Sequence, residues 1–107
     1  MRMIQVNSKK IAISGFVAAM VMVSLNAEAY KGSEYTKDAK ITLEDARSIA
    51  LKTFPGTVVE EELEHKKGGS GLRYSFDIRS ASHVTHELGI DSQTGAVLEN
   101  SKESEND

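Results

Sequence analysis

The 107-residue chain predicts an α+β fold, with one N-terminal helix packed on a three- to four-stranded antiparallel β-meander. Two patterns lead to this reading. Apolar residues recur at helical spacing between residues 42 and 53, whereas from residue 57 onward they alternate with polar ones at the period of a strand. Short polar or glycine-bearing turns separate the alternating runs, so the strands follow one another as a meander with the helix covering the apolar face.

The helix starts at Thr42, whose hydroxyl can accept an orphan amide, with Glu44 and Asp45 placed against the positive end of the helix dipole. Leu43, Ala46, Ile49, Ala50 and Thr53 share one stripe, and Arg47, Ser48 and Lys52 face the other way. Pro55 and Gly56 end it, because proline disfavours helical geometry at Phe54 and glycine tolerates the turn that follows. Thr57 to His65 is expected as an edge strand of imperfect alternation, with Val59, Glu61 and Leu63 on one face and Val58, Glu60, Glu62 and Glu64 on the other. After the Lys66–Gly71 turn, Leu72 to Arg79 alternates cleanly: Leu72, Tyr74, Phe76 and Ile78 point one way, Arg73, Ser75, Asp77 and Arg79 the other. Val84, His86, Leu88 and Ile90 define the inner face of a third strand. Asp91 to Gly95 is a hairpin loop in which Asp91 is placed to accept turn amides, and Ala96 to Leu98 returns as a short last strand.

The ends read differently. Arg2, Lys9 and Lys10 precede an uncharged run from Ile11 to Leu25, 15 residues where a spanning helix needs about 20, and Ala27-Glu28-Ala29 is a small-x-small cleavage pattern. Residues 1–29 are therefore expected to be a Sec signal peptide cut after Ala29, making the product periplasmic or secreted with no stable membrane insertion. Cleavage would remove Arg2, Lys9, Lys10 and Glu28 and take the net charge from −3 to −5. Residues 30–40 have no apolar periodicity and are expected to be a flexible leader; residues 41–99 form the folded domain, and residues 100–107 an acidic disordered tail.

At this point the residues carry a resemblance. Glu44-Asp45-Ala46-Arg47-Ser48-Ile49-Ala50-Leu51, Phe54-Pro55-Gly56-Thr57-Val58, the Glu60 to Glu64 strand, Tyr74-Ser75-Phe76-Asp77-Ile78 and Ile90-Asp91-Ser92-Gln93-Thr94-Gly95-Ala96-Val97 together resemble the PepSY domain family. The resemblance covers nearly all of the span from Ile41 to Leu98. It implies a small exported or membrane-associated α+β module without catalysis of its own. Related domains occur in propeptides of secreted metallopeptidases, with a proposed inhibitory or chaperone-like role, and in envelope proteins associated with redox systems.

The chemistry in the sequence is sparse. The absence of cysteine removes disulfides, thiolate metal sites and Cys nucleophiles, and the acidic balance argues against a grip on nucleic acid. His83 and His86 are spaced to converge on a helix, but on a strand they point to opposite faces, so no metal ligands and no cofactor are expected. Gly68-Gly69-Ser70-Gly71 lacks the Gly-Lys-Ser/Thr ending of a phosphate loop and joins strand to strand. Glu60, Glu61, Glu62 and Glu64 are the densest carboxylates, but alternation splits them, and no catalytic constellation accompanies them. A core of this size rarely supplies more than about 3 to 5 kcal/mol, which favours binding over a strained catalytic cleft.

The expected function is a non-enzymatic docking module for a protein partner, a secreted peptidase or an envelope redox protein. Glu60, Glu62, Glu64, Arg73, Asp77 and Arg79 of the charged sheet face are its candidate contacts. The alternative is a periplasmic carrier of a small ligand or metal, using a helix–sheet groove and His83 or His86.

Overall fold

The computed structural model describes residues 30–104; the expected signal peptide and the last three residues of the expected tail lie outside the described residues. A single α-helix, α1 (Leu43–Thr53), precedes four strands, β1 (Thr57–His65), β2 (Leu72–Arg79), β3 (Thr85–Asp91) and β4 (Val97–Lys102). The sheet is antiparallel throughout, in the order β1-β2-β3-β4, and α1 lies across β2 and β3.

Thr42 caps α1, its hydroxyl accepting the Asp45 amide at 3.0 Å, and the last turn closes with the Phe54 amide donating to the Ala50 carbonyl. Leu43, Ala46 and Ala50 are buried. Because Ala46 and Ala50 carry only a methyl group, the helix can approach the sheet closely. Ile49 and Leu51 are half-buried, while Thr53, expected on the apolar stripe, is exposed and turns its hydroxyl back to the Ile49 carbonyl.

The sheet's inner face supplies the rest of the core. Leu72, Tyr74, Phe76 and Ile78 of β2 meet Leu88 and Ile90 of β3 and Leu63 of β1, with Phe76 opposite Leu88 and Tyr74 between Leu63 and Ile90. The buried Tyr74 hydroxyl donates to the Ile41 carbonyl at 2.8 Å, and burial pushes its pKa up to about 12.

The imperfect alternation of β1 has a structural cause. Val58 pairs with Ile78 and Glu60 with Asp77, so Val59 has no opposite number and forms a bulge. The extra residue reverses the expected facing of the two valines: Val58 packs against the core and Val59 stands 56% exposed.

The expected flexible leader is built onto the domain instead. The Leu63 amide donates to the Lys31 carbonyl at 2.9 Å in a parallel bridge, and Gly32, at φ 87°, packs against the Leu63 carbonyl where any Cβ would collide. A short 3-10 helix (Ser33–Asp38) follows, with the Tyr35 ring edge-on to His65 at 4.6 Å. The amides of Lys40 and Ile41 then donate to the Ser92 carbonyl. Main-chain bonds, one close-packed glycine and the partly buried Tyr30, Tyr35 and Ala39 against the core hold this segment, too few apolar contacts to set a period.

At the other end β4 runs on to Lys102, and the Glu103 amide still donates to the Thr85 carbonyl at 2.8 Å. The strand thus takes in residues 100–102, which the sequence assigns to the tail.

Candidate docking face

The β2 register fixes what shares the sheet's outer face. Glu60 lies opposite Asp77, which lies opposite Glu87; Glu62 lies opposite Ser75 and Glu64 opposite Arg73. Glu87 faces Ser101, and Gly89 faces Glu99. All six sequence-predicted contact residues, Glu60, Glu62, Glu64, Arg73, Asp77 and Arg79, therefore fall on one side, away from the helix. Glu61 falls on the other side, where it takes two 3.0 Å hydrogen bonds from the Arg47 guanidinium of α1. Arg47 thus turns toward β1, although the helical stripe places it outward.

Arg73 and Arg79 play unequal parts. Arg73 is only 6% exposed, passes over Gly89, and donates to Glu99 at 3.3 Å and to the Lys67 carbonyl at 3.1 Å. The only Cβ that could stand at position 89 would meet that guanidinium, so the glycine makes room for it. Arg73 is therefore a strut within the face, and its ion partner is Glu99 on β4. Arg79 at the end of β2 is exposed.

The consequence is a surface dominated by carboxylates. Lys66 and Arg73 both spend their charge on Glu99, whereas Asp77 sits half-buried among Glu60, Glu87 and Glu103. Burial first, and then the negative charges of Glu103, Glu87 and Glu60 together with a hydrogen bond to Glu60, raise the Asp77 pKa to about 6. Glu87 is raised by burial and by Glu99, Glu64 and Glu103 against the opposing pull of Lys66. Glu62 is raised by burial and by Glu64, with Lys31 opposing. Like charges facing each other across a ladder are destabilising, so this arrangement is held by the core beneath it.

Glu87, Glu99 and Glu103 are members of this face that the sequence reading missed. The alternation of Glu99, Ser101 and Glu103 with Leu98, Asn100 and Lys102 is the signal that could have found two of them, and it was obscured by ending the last strand at Leu98.

The histidines do not converge. His83 occupies a turn at φ 66°, while His86 lies on the inner face, its ring stacked on Phe54 at 3.9 Å and its Nδ1 2.6 Å from Oδ1 of Asn100. Among the described residues no group of three or more His, Asp or Glu side chains is arranged to hold a metal. A cleft of about 230 Å³ opens where the leader meets α1, lined by Tyr30, Ile41, Glu44 and Tyr74 among others; the Tyr74 hydroxyl there is already committed to Ile41.

A helix across an antiparallel four-stranded meander, with a charged outer sheet face, defines a small α+β module. The family model for the peptidase propeptide and YPEB domain, PepSY, matches residues 40–100, and the chain belongs to that family. Searches of curated proteins and of solved structures gave no match. Membership is consistent with a non-catalytic module of the peptidase-propeptide kind. No helix among the described residues is long and apolar enough to cross a membrane.

Proposed function

We propose that this protein is an exported, non-enzymatic module that docks on a partner protein in the cell envelope or outside the cell, using the outer face of its sheet. The observation that supports this most is the pairing of Glu60, Asp77 and Glu87 in direct register, with Lys66 and Arg73 already engaged by Glu99. An interior does not require such a face, and its unneutralised charge is complementary to a basic surface. The family description favours a secreted peptidase as the partner, which the module would inhibit or help to fold; an envelope redox protein is the other class in keeping with export.

The test is capture from envelope extract with the tagged protein, run beside a Glu60→Lys/Glu62→Lys variant. A specific protein retained by the native face and lost with the reversed charges supports docking. Recovery of nothing above a mock control overturns it.

A further inference from the structure

The two edges of the sheet are not equivalent, and the difference indicates how a partner is received. On β1 the outward amide of Leu63 is taken by the Lys31 carbonyl, and Gly32 is wedged against the same residue. The remaining length of that edge carries the Val59 bulge and is flanked by Glu60 and Glu62. A strap, a bulge and flanking charges are the means by which sheets discourage further pairing.

β4 has none of the first two protections along its final four residues. The Glu103 amide donates to Thr85, and main-chain direction alternates along an antiparallel ladder, so Glu99 and Ser101 turn their amides to β3 while Asn100 and Lys102 turn theirs outward. Among the described residues nothing pairs with that outer row, and Asn100, Ser101 and Lys102 are exposed. The irregularity in β4 lies earlier, between its pairings with Gly89 and Ile90, and leaves the 99–102 stretch regular.

The side chains flanking this row specify an occupant. On the outer side stand Glu99 and Ser101, with Glu87 behind them and Glu103 beyond. Among the described residues neither Glu87 nor Glu103 has a cation within ion-pair distance. On the inner side stand Val97, 43% exposed, then Asn100 and Lys102. A strand laid here would meet Glu99, Ser101 and Glu103 with every second side chain, and a mildly apolar to cationic row with the others.

Resting on the docking reading above, we propose that β4 is the receiving edge, and that it takes an extended segment of the partner carrying Lys or Arg at alternate positions as a fifth strand. Main-chain bonds to Asn100 and Lys102 supply the affinity, and the acidic row sets the sequence preference.

The test uses ¹⁵N-labelled protein titrated with a blocked nine-residue peptide of alternating Lys and Thr or Val, beside the same peptide with Glu in place of Lys. The lysine peptide is expected to shift the Asn100 and Lys102 amides and slow their exchange; the glutamate peptide is expected to do neither. Asn100→Pro removes one outward N–H without touching the amides that Glu99 and Ser101 give to β3, and should weaken binding about tenfold. Asn100→Ala loses the side-chain contact to His86 but keeps the N–H, and should bind as the native chain does. Glu87→Gln/Glu103→Gln should also weaken the lysine peptide, which keeps the charge requirement testable if the proline variant fails to fold. Shifts along β1 or the outer face with Asn100 and Lys102 unmoved overturn the edge assignment while leaving docking intact. Protection of the same two amides by self-association without peptide overturns the proposed occupant in favour of a second copy. No response at millimolar peptide overturns the proposal, and docking itself stands or falls on the capture experiment.

Discussion

Asp77→Asn should stabilise this domain at neutral pH, and only there. In the folded protein the Asp77 carboxyl titrates at about 6, against an ordinary value of 3.8, because it is part-buried beside Glu103, Glu87 and Glu60. A pKa raised by folding means that the folded state binds the proton more tightly, so this residue's contribution to stability is complete below pH 3.8 and is lost as the pH rises through 6. The gap of roughly 2 units corresponds to about 3 kcal/mol at 1.36 kcal/mol per unit. Asp77 is partly exposed, and solvent screening reduces the realistic figure to about 1 kcal/mol. Asparagine resembles the protonated acid in shape and can still donate to Glu60. Urea unfolding at pH 7.5 should therefore show Asp77→Asn more stable by about 1 kcal/mol, a midpoint shift of about 0.5 to 1 M at the slopes of small domains. At pH 4 the difference should fall to near zero. Glu62 and Glu87, also raised, make the native domain gain stability in the same direction as pH falls from 7. Asp91 is opposite in sign: burial opposes its charge, but the amides of Gln93, Ser70 and Thr94 and the Ser70 hydroxyl outweigh it and lower its pKa, so its support is lost only as the pH drops below 3.8. Equal effects of Asp77→Asn at both pH values, or destabilisation at pH 7.5, would refute the linkage.

Three further outcomes follow from the packing. Gly32→Val places a side chain against the Leu63 carbonyl and should release the leader, seen as about tenfold faster hydrogen exchange at the Leu63 amide; the amides of Phe76 and Leu88 should stay protected, and loss of protection throughout would show that the leader belongs to the core. Phe76→Ala should cost about 3 to 5 kcal/mol, comparable with all the stability a domain of this size holds, so far-UV circular dichroism should show an unfolded chain at 25 °C, and a cooperative native transition would contradict the central position of that ring. A double-mutant cycle on Arg47→Ala and Glu61→Ala should give a coupling of about 1 to 2 kcal/mol from urea melts, since both side chains are less than a fifth exposed; a coupling near zero would mean that the pair is solvated.

The parts of the fold legible in the sequence are those governed by local period. The Thr42 cap, the buried alanines of α1, the limits of β1 and β2 and the inward row Leu72, Tyr74, Phe76 and Ile78 all follow from spacing alone. What escaped depends on pairing. A bulge at Val59 exists only relative to β2, the leader is held through Lys31 and Gly32 by bonds to a strand about thirty residues away, and β4 is stabilised past Leu98 by its ladder to β3 rather than by any apolar residue of its own. The candidate face was legible in its β1 and β2 members because strict alternation puts them on one side. The burial of Arg73 was not, since it rests on Gly89 lying one strand away with no side chain to exclude the guanidinium.

Asp91, 2% exposed, accepts the amide and hydroxyl of Ser70 from the loop between β1 and β2 as well as the Gln93 amide from its own turn. One buried carboxylate therefore buckles two hairpins together at the same end of the sheet. Their loops cannot drift in length independently, since an insertion into either one tugs on the clasp that closes the other. The turn between β2 and β3, at the opposite end of the sheet, closes instead through its own residues, the Ser80 amide donating to the Val84 carbonyl and the Val84 amide to the Ser80 hydroxyl.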